Sequence, residues 1–264
     1  MNPKLTLSGL TPLVMVLILS VPAPAARAQI FVDNCATGSV GKYAMDGSVI
    51  NASLITGLNE PSGLAISGSN LYVASWINGT IGQYSTNGAT INDTLVSDLG
   101  WPFQIAVADS FIYVANYLSG NVGRYNLDGS TSNAALVNVG YGASGIAVSG
   151  STLYVANVYS GTIGAYSISG TTLNSTLITG LVHPAEIAIS GSDLYVANQF
   201  AGTVGKYTTA GAAVNINFVT GLNYPQGVAI AGDSLLVTNF GGTQLEFANG
   251  TTVGKYGFFR FLCG

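Results

Sequence analysis

One feature constrains this chain more than any other: a motif that returns every 41 residues. The doublet Phe31-Val32 recurs as Tyr72-Val73, Tyr113-Val114, Tyr154-Val155, Tyr195-Val196 and Leu236-Val237, six copies in all. Behind it runs Gly-x-Tyr, at Gly41/Tyr43, Gly82/Tyr84, Gly123/Tyr125, Gly164/Tyr166 and Gly205/Tyr207, with a sixth, Gly254/Tyr256, eight residues late. Asn51, Asn92, Asn133, Asn174 and Asn215 keep the same step, as do Pro61, Pro102, Ala143, Pro184 and Pro225 at the head of a Pro-x-Gly-Leu-Ala-Ile-like segment. A unit of this size cannot bury both its faces alone, so neighbouring copies must stack.

Each unit reads as four short strands, A to D, at 64–66, 71–74, 80–84 and 94–96 in the second copy. They are β-branched or aromatic runs bounded by Gly, Asn and Ser. A joins B through turns such as Ser67-Gly68-Ser69-Asn70. C joins D through Asp46-Gly47, Asn87-Gly88 or Asp128-Gly129, pairs that tolerate the positive φ of tight hairpins. Tight turns demand antiparallel pairing, which argues against a β-solenoid with its parallel strands. The expected fold is all-β: a six-bladed β-propeller of four-stranded antiparallel blades, in residues 29–264. Strands B and C recur six times but A and D only five, so the first or last blade is incomplete unless the tail 257–264, which matches no part of the repeat, supplies a strand.

The segments from Pro184-Ala-Glu-Ile-Ala-Ile through Leu194-Tyr-Val-Ala-Asn to Gly202-Thr-Val-Gly-Lys-Tyr resemble NHL-type propeller repeats, and in particular the secreted bacterial arrays rich in Gly, Asn and Thr. The resemblance covers residues 31–256. It implies the propeller fold but no single function, because such propellers serve as enzymes, scaffolds and binding modules.

Residues 1–28 read as a secretory signal peptide: Lys4, an apolar run at 13–19 too short for a bilayer, and Ala26-Arg27-Ala28 as the cleavage site. Losing Lys4 and Arg27 leaves five basic against eleven acidic residues, a net charge of −6. No cationic cluster exists to neutralise phosphates, so nucleic acid and membrane are not expected partners after cleavage. The chain is expected outside the cytoplasm, secreted or periplasmic, as a monomer. An exported chain permits a disulfide. Cys35 and Cys263 fall in neighbouring blades of a closed ring, which suggests a ring-closing bridge.

Comparing the copies with one another separates the two ends of the disc. The A–B and C–D turns are alike throughout. The B–C loops differ, carrying Cys35, Trp76, Tyr117, Tyr159, Phe200 and Phe240, and the late Gly254/Tyr256 suggests an eight-residue insertion in the last of them. The D–A loops differ as well, ending in Glu60, Trp101, Gly142, His183 and Tyr224. This aromatic end is a candidate surface for a glycan, polymer or protein, because rings offer large contact area at little entropic cost. At the third position of strand A, Gln104 and Glu186 replace the glycines Gly63, Gly145 and Gly227 where the inner strands converge. With His183 three residues before Glu186, this channel mouth is the second candidate, for acid–base work. One His and one carboxylate do not make a metal site, and no cofactor is expected. Lys42, Arg124, Lys206 and Lys255 share one strand-C position, read as a solubilising edge. The leading expectation is a non-catalytic binding or scaffold module. The alternative is a metal-assisted lactonase- or lyase-type enzyme with its site at the channel mouth.

Overall fold

The computed structural model describes residues 15–19, 29–232, 234–239, 241–243, 245–249, 252–254 and 259–260, with side chains for 29–232 and 234–239. All regular structure in them is β. The first blade is β1 (Met15–Leu19), β2 (Gln29–Asn34), β3 (Ser39–Ala44) and β4 (Val49–Ile55). The second is β5 (Pro61–Ser67), β6 (Asn70–Ser75), β7 (Thr80–Ser85) and β8 (Thr90–Val96). The third is β9 (Pro102–Ala108), β10 (Phe111–Asn116), β11 (Asn121–Asn126) and β12 (Thr131–Asn138). The fourth is β13 (Ala143–Ser149), β14 (Thr152–Asn157), β15 (Thr162–Ser167) and β16 (Thr172–Ile178). The fifth is β17 (Pro184–Ser190), β18 (Asp193–Asn198), β19 (Thr203–Thr208) and β20 (Ala213–Thr220). Every blade is an antiparallel meander whose first strand lies innermost and packs against the first strand of its neighbours.

The blade count corrects the sequence expectation: five blades, not six, follow the construction of the repeat. In each of the five, the strand-C glycine lies beneath the ring of the tyrosine two residues on. A Cβ built on Gly41, Gly82, Gly123, Gly164 or Gly205 would fall 2.6–2.7 Å from the nearest atom of that ring. The last sheet, β21 (Pro225–Ala231), β22 (Ser234–Asn239), β24 (Leu245–Asn249) and β25 (Thr252–Gly254), lacks this device. Its third strand pairs Ser234 with Asn249, in the register of Asp193 with Thr208 one repeat earlier. That places Glu246 where the glycine stands and Ala248 where the tyrosine stands. The late Gly254/Tyr256 is therefore not a displaced strand C, and the β22–β24 connection holds no eight-residue insertion. Between them lies β23 (Gly241–Thr243), paired with β26 (Phe259–Arg260).

The inner strand of the first blade comes from the segment read as a leader. β1 pairs antiparallel with β2, Leu17 opposite Phe31, and packs between β5 and β21. The bridge expected between Cys35 and Cys263 involves a residue, Cys263, outside the described ones, and so does Phe240 of the candidate face.

The core lies between blades rather than at the centre of the disc. Tyr72, Ala74 and Ile81 of the second blade pack against Ile105, Ile112 and Val114 of the third. Two of the shared strand-C cations, Lys42 and Arg124, clamp neighbouring blades instead of forming a soluble edge, while Lys206 pairs with Asp193 in its own blade. Lys42 Nζ donates to the Thr86 carbonyl at 2.9 Å, and Arg124 Nη1 donates to the Ile168 carbonyl at 2.9 Å, the same step in the repeat. Outermost strands are exposed along most of their length, yet their edges are broken. The Asn92 side chain accepts the Thr94 N–H at 3.1 Å, and the register slips there; Asn51, Asn133, Asn174 and Asn215 do the same. A bulge at each edge discourages sheet-to-sheet pairing between molecules.

Candidate functional site

The loop before each inner strand ends in a residue of left-handed backbone: Glu60 (φ 48°), Trp101 (57°), Gly142 (95°), His183 (58°) and Tyr224 (55°). The conformation has a purpose. In four of the five it aims the carbonyl at the B–C loop of the same blade: those of Glu60, Trp101, Gly142 and His183 accept the N–H of Trp76 (3.0 Å), Tyr117 (2.9 Å), Val158 (3.0 Å) and Gln199 (3.1 Å) respectively. Glycine suits such a turn, and a bulky side chain there costs on the order of 1 kcal/mol. Only the fourth blade uses glycine. At Gly142 a Cβ would meet the Tyr159 ring at 2.5 Å, so there the B–C loop ring fills the space instead.

These two loop sets bring the sequence-derived rings together as one connected arc. Trp76 stacks on Trp101, centroids 5.1 Å apart at 25°, and meets Tyr117 at 5.2 Å. Tyr117 meets Tyr159 at 6.0 Å, and its hydroxyl donates to the Tyr159 hydroxyl at 2.8 Å. Tyr159 leads edge-on to His183 at 6.2 Å; His183 stacks on Phe200 at 4.1 Å; Phe200 meets Tyr224 edge-on at 5.8 Å. Two further rings belong to the arc although sequence reasoning did not single them out. Tyr141 stacks on Tyr159 at 5.1 Å, and Phe103 packs against Trp76 at 5.4 Å. Tyr141 adjoins the left-handed position in the chain, which is the signal that could have found it. Tyr159 and Phe200 are each 60% exposed, so the arc is a surface and not a core.

Asn157 holds the middle of this surface. Its Nδ2 donates to the carbonyls of Val139, Gly140 and Tyr141, and its Oδ1 accepts the N–H groups of Tyr159 and Ser160. Burial pushes the Tyr117 phenol up, and its bond to Tyr159 adds to the shift, so it stays a neutral donor.

His183 and Glu186 do not come together. Burial lowers the His183 pKa, with a Gln199 hydrogen bond opposing, and the neutral imidazole serves as a stacking ring. Glu186 instead spans the axis. Its Oε1 accepts from Gln104 Nε2, two blades away, and its Oε2 accepts the Val228 N–H at 3.0 Å from the next sheet. Both side chains are buried. The glycines at the equivalent position are forced: a Cβ on Gly63 or Gly145 would lie 2.7 Å from a neighbouring oxygen. Gln104 and Glu186 line a cavity of about 270 Å³ together with small and branched apolar residues such as Ala65, Ala106, Ile146 and Ala229. Burial raises the Glu186 pKa well above the usual carboxylate range, with the bonds from Val228 and Gln104 opposing. Among the described residues no group of three His, Cys, Asp or Glu side chains is placed to hold a metal ion.

The arrangement was compared with known proteins. No family model and no curated protein sequence matches the chain. Solved structures do. The crystal structure of a nidogen/laminin complex superposes with a TM-score of 0.73 at 18% identity, covering 85% of this chain and 91% of that one. Virginiamycin B lyase from Staphylococcus aureus, a catalytically inactive H270A form with quinupristin, gives 0.66 at 18% identity over 85% and 76%. A gluconolactonase from Xanthomonas campestris gives 0.68 at 17% identity over 81% and 80%. The fold they share is the β-propeller. At these identities the likeness concerns the fold alone, and it spans both a protein crystallised with a partner and two enzymes.

Proposed function

We propose that this chain is an NHL-like binding module that holds its ligand on the aromatic arc and performs no chemistry on it. One observation carries the reading. The backbone asks for glycine at the end of each D–A loop, yet Trp101, His183 and Tyr224 occupy that position at a conformational cost. Their rings are partly exposed and joined to those of the B–C loops. Contiguous exposed apolar surface of this kind is a mark of interaction sites. A propeller crystallised in a complex, as nidogen with laminin, is consistent with use of the fold for binding. The test is a ligand screen with purified protein beside a Trp76→Ala/Trp101→Ala double variant. Every ligand bound equally by both proteins would overturn the reading.

A second reading rests on Glu186, a buried carboxyl with a raised pKa on the axis of a fold that lyases and lactonases also use. Such a group could act as a general acid. Both its oxygens are, however, already engaged by Gln104 and Val228. Turnover of gluconolactone or of quinupristin that is lost in Glu186→Gln would favour this reading over the first.

A further inference from the structure

We infer, resting on the binding-face reading above, that the ligand of the aromatic arc is an uncharged polysaccharide chain laid along it from blade to blade. Charge gives the first argument. The cations whose side chains are described are committed near the C–D turns, at the opposite end of the disc: Lys42 to the Thr86 carbonyl, Arg124 to the Ile168 carbonyl, Lys206 to Asp193 at 2.8 Å. None faces the arc. Glu60 and Asp98, both towards one end of it, are the carboxylates that the D–A loops contribute. Among the described side chains a polyanion finds no counter-charge there, and a polycation finds two at most.

Repetition gives the second argument. The arc is not one pocket but a series of stacked pairs, Trp76/Trp101 at 25°, Tyr141/Tyr159 at 26° and His183/Phe200 at 17°, joined through tilted and edge-on contacts. They follow one another along successive blades because the loops that carry them recur every 41 residues, although the paired rings stand at different positions of the repeat. A surface with a repeated element matches a ligand with a repeated unit, where several weak contacts on one chain combine.

Polarity gives the third. Amides and hydroxyls lie among the rings: the Asn59 Nδ2 donates to Asn78 Oδ1, Tyr117 bonds Tyr159, and Ser119 bonds Asn121. An apolar protein or lipid surface would cover these groups without replacing their water, at a cost for each one left unpaired. A sugar satisfies both kinds of group at once. Its C–H faces lie on the rings and its hydroxyls exchange hydrogen bonds with the amides and phenols.

The full-length protein is mixed with insoluble neutral polysaccharides (cellulose, chitin, amylose), with heparin beads and with phenyl-agarose, and depletion from solution is measured. A Tyr159→Ala/Phe200→Ala variant, altered at the most exposed rings, runs in parallel, with its thermal midpoint as the folding control. The expected result is depletion by at least one neutral polysaccharide, insensitive to salt and weakened about tenfold or more in the variant. Ring-dependent retention by heparin or phenyl-agarose alone would overturn the polysaccharide class and leave the binding face standing. No retention on any support, or retention equal in the two proteins, would overturn both.

Discussion

The carbonyl of Trp101 accepts the N–H of Tyr117 at 2.9 Å, and it can do so because Trp101 sits in the left-handed region at φ 57°. One hydrogen bond thus ties the two loops that form the aromatic face. It also leads to an unusual expectation for mutants. Trp101→Gly keeps the bond, relieves the strained φ and loses the stack on Trp76. Trp101→Ala loses the same stack and keeps the strain. Glycine should therefore be the milder replacement, with the alanine variant less stable by about 1 kcal/mol. Urea or thermal unfolding of the two variants checks the order, and the reverse order would show that the turn stores no strain.

Asn157 joins the same two loops in the fourth blade, bonding three carbonyls on one side and two N–H groups on the other. Asn157→Ala should cost about 2–3 kcal/mol, since it leaves buried backbone groups unsatisfied. Asn157→Asp should be worse at neutral pH, because a carboxylate cannot donate to the carbonyls of Val139, Gly140 and Tyr141. Lowering the pH should narrow the gap between the two variants in thermal melts.

Glu186 carries a pKa raised by burial, so the folded state holds its proton more tightly than the unfolded chain. The sign follows from linkage. Below the ordinary carboxylate range the group is protonated in both states and burial has no ionisation penalty. As pH rises from there towards the raised folded value, stability falls by up to about 1.4 kcal/mol per pH unit. Glu186→Gln should remove that slope. Chemical denaturation from pH 4 upward, with the two curves diverging at low pH rather than at high pH, would contradict the assignment.

The strand-C glycines give the sharpest packing test. A Cβ on Gly123 would stand 2.7 Å from the Tyr125 ring, which is itself buried between blades. Gly123→Ala should cost about 1–3 kcal/mol through displacement of that ring. Adding Tyr125→Leu to Gly123→Ala should recover part of the loss that the glycine change causes, a coupling that a double-mutant cycle reads directly.

Much of the molecule was legible in the chain. The strand-B doublets, the Gly-x-Tyr pairs and the Asn-Gly turns mark antiparallel blades, because each depends on a neighbour only a few residues away or on the period itself. The division of the disc into a uniform end and a varied end was legible for the same reason. The last sheet was not: Gly254/Tyr256 look like a late strand C, but backbone pairing of Ser234 with Asn249 keeps the original phase and passes the motif by. Tyr141 and Phe103 were not legible because each stands one residue away from the loop-end and strand-A positions that differ between copies.

What the sequence by itself determined, then, is the repeat and the strands it encodes, since period-two burial and tight-turn chemistry are local. Whatever crosses the axis or joins two blades belongs to the tertiary structure. Glu186 pairs with Gln104, 82 residues away, and not with His183 three residues away, because inward-pointing side chains of a ring meet across its centre while the loop residue beside them turns outward. Lys42 and Arg124, which read as surface charge, become clamps for the same reason, as the carbonyls they reach lie 44 residues on. And five blades, not six, follow the repeat, because a blade is defined by a glycine that admits a tyrosine ring, a contact that exists only once the sheet is formed.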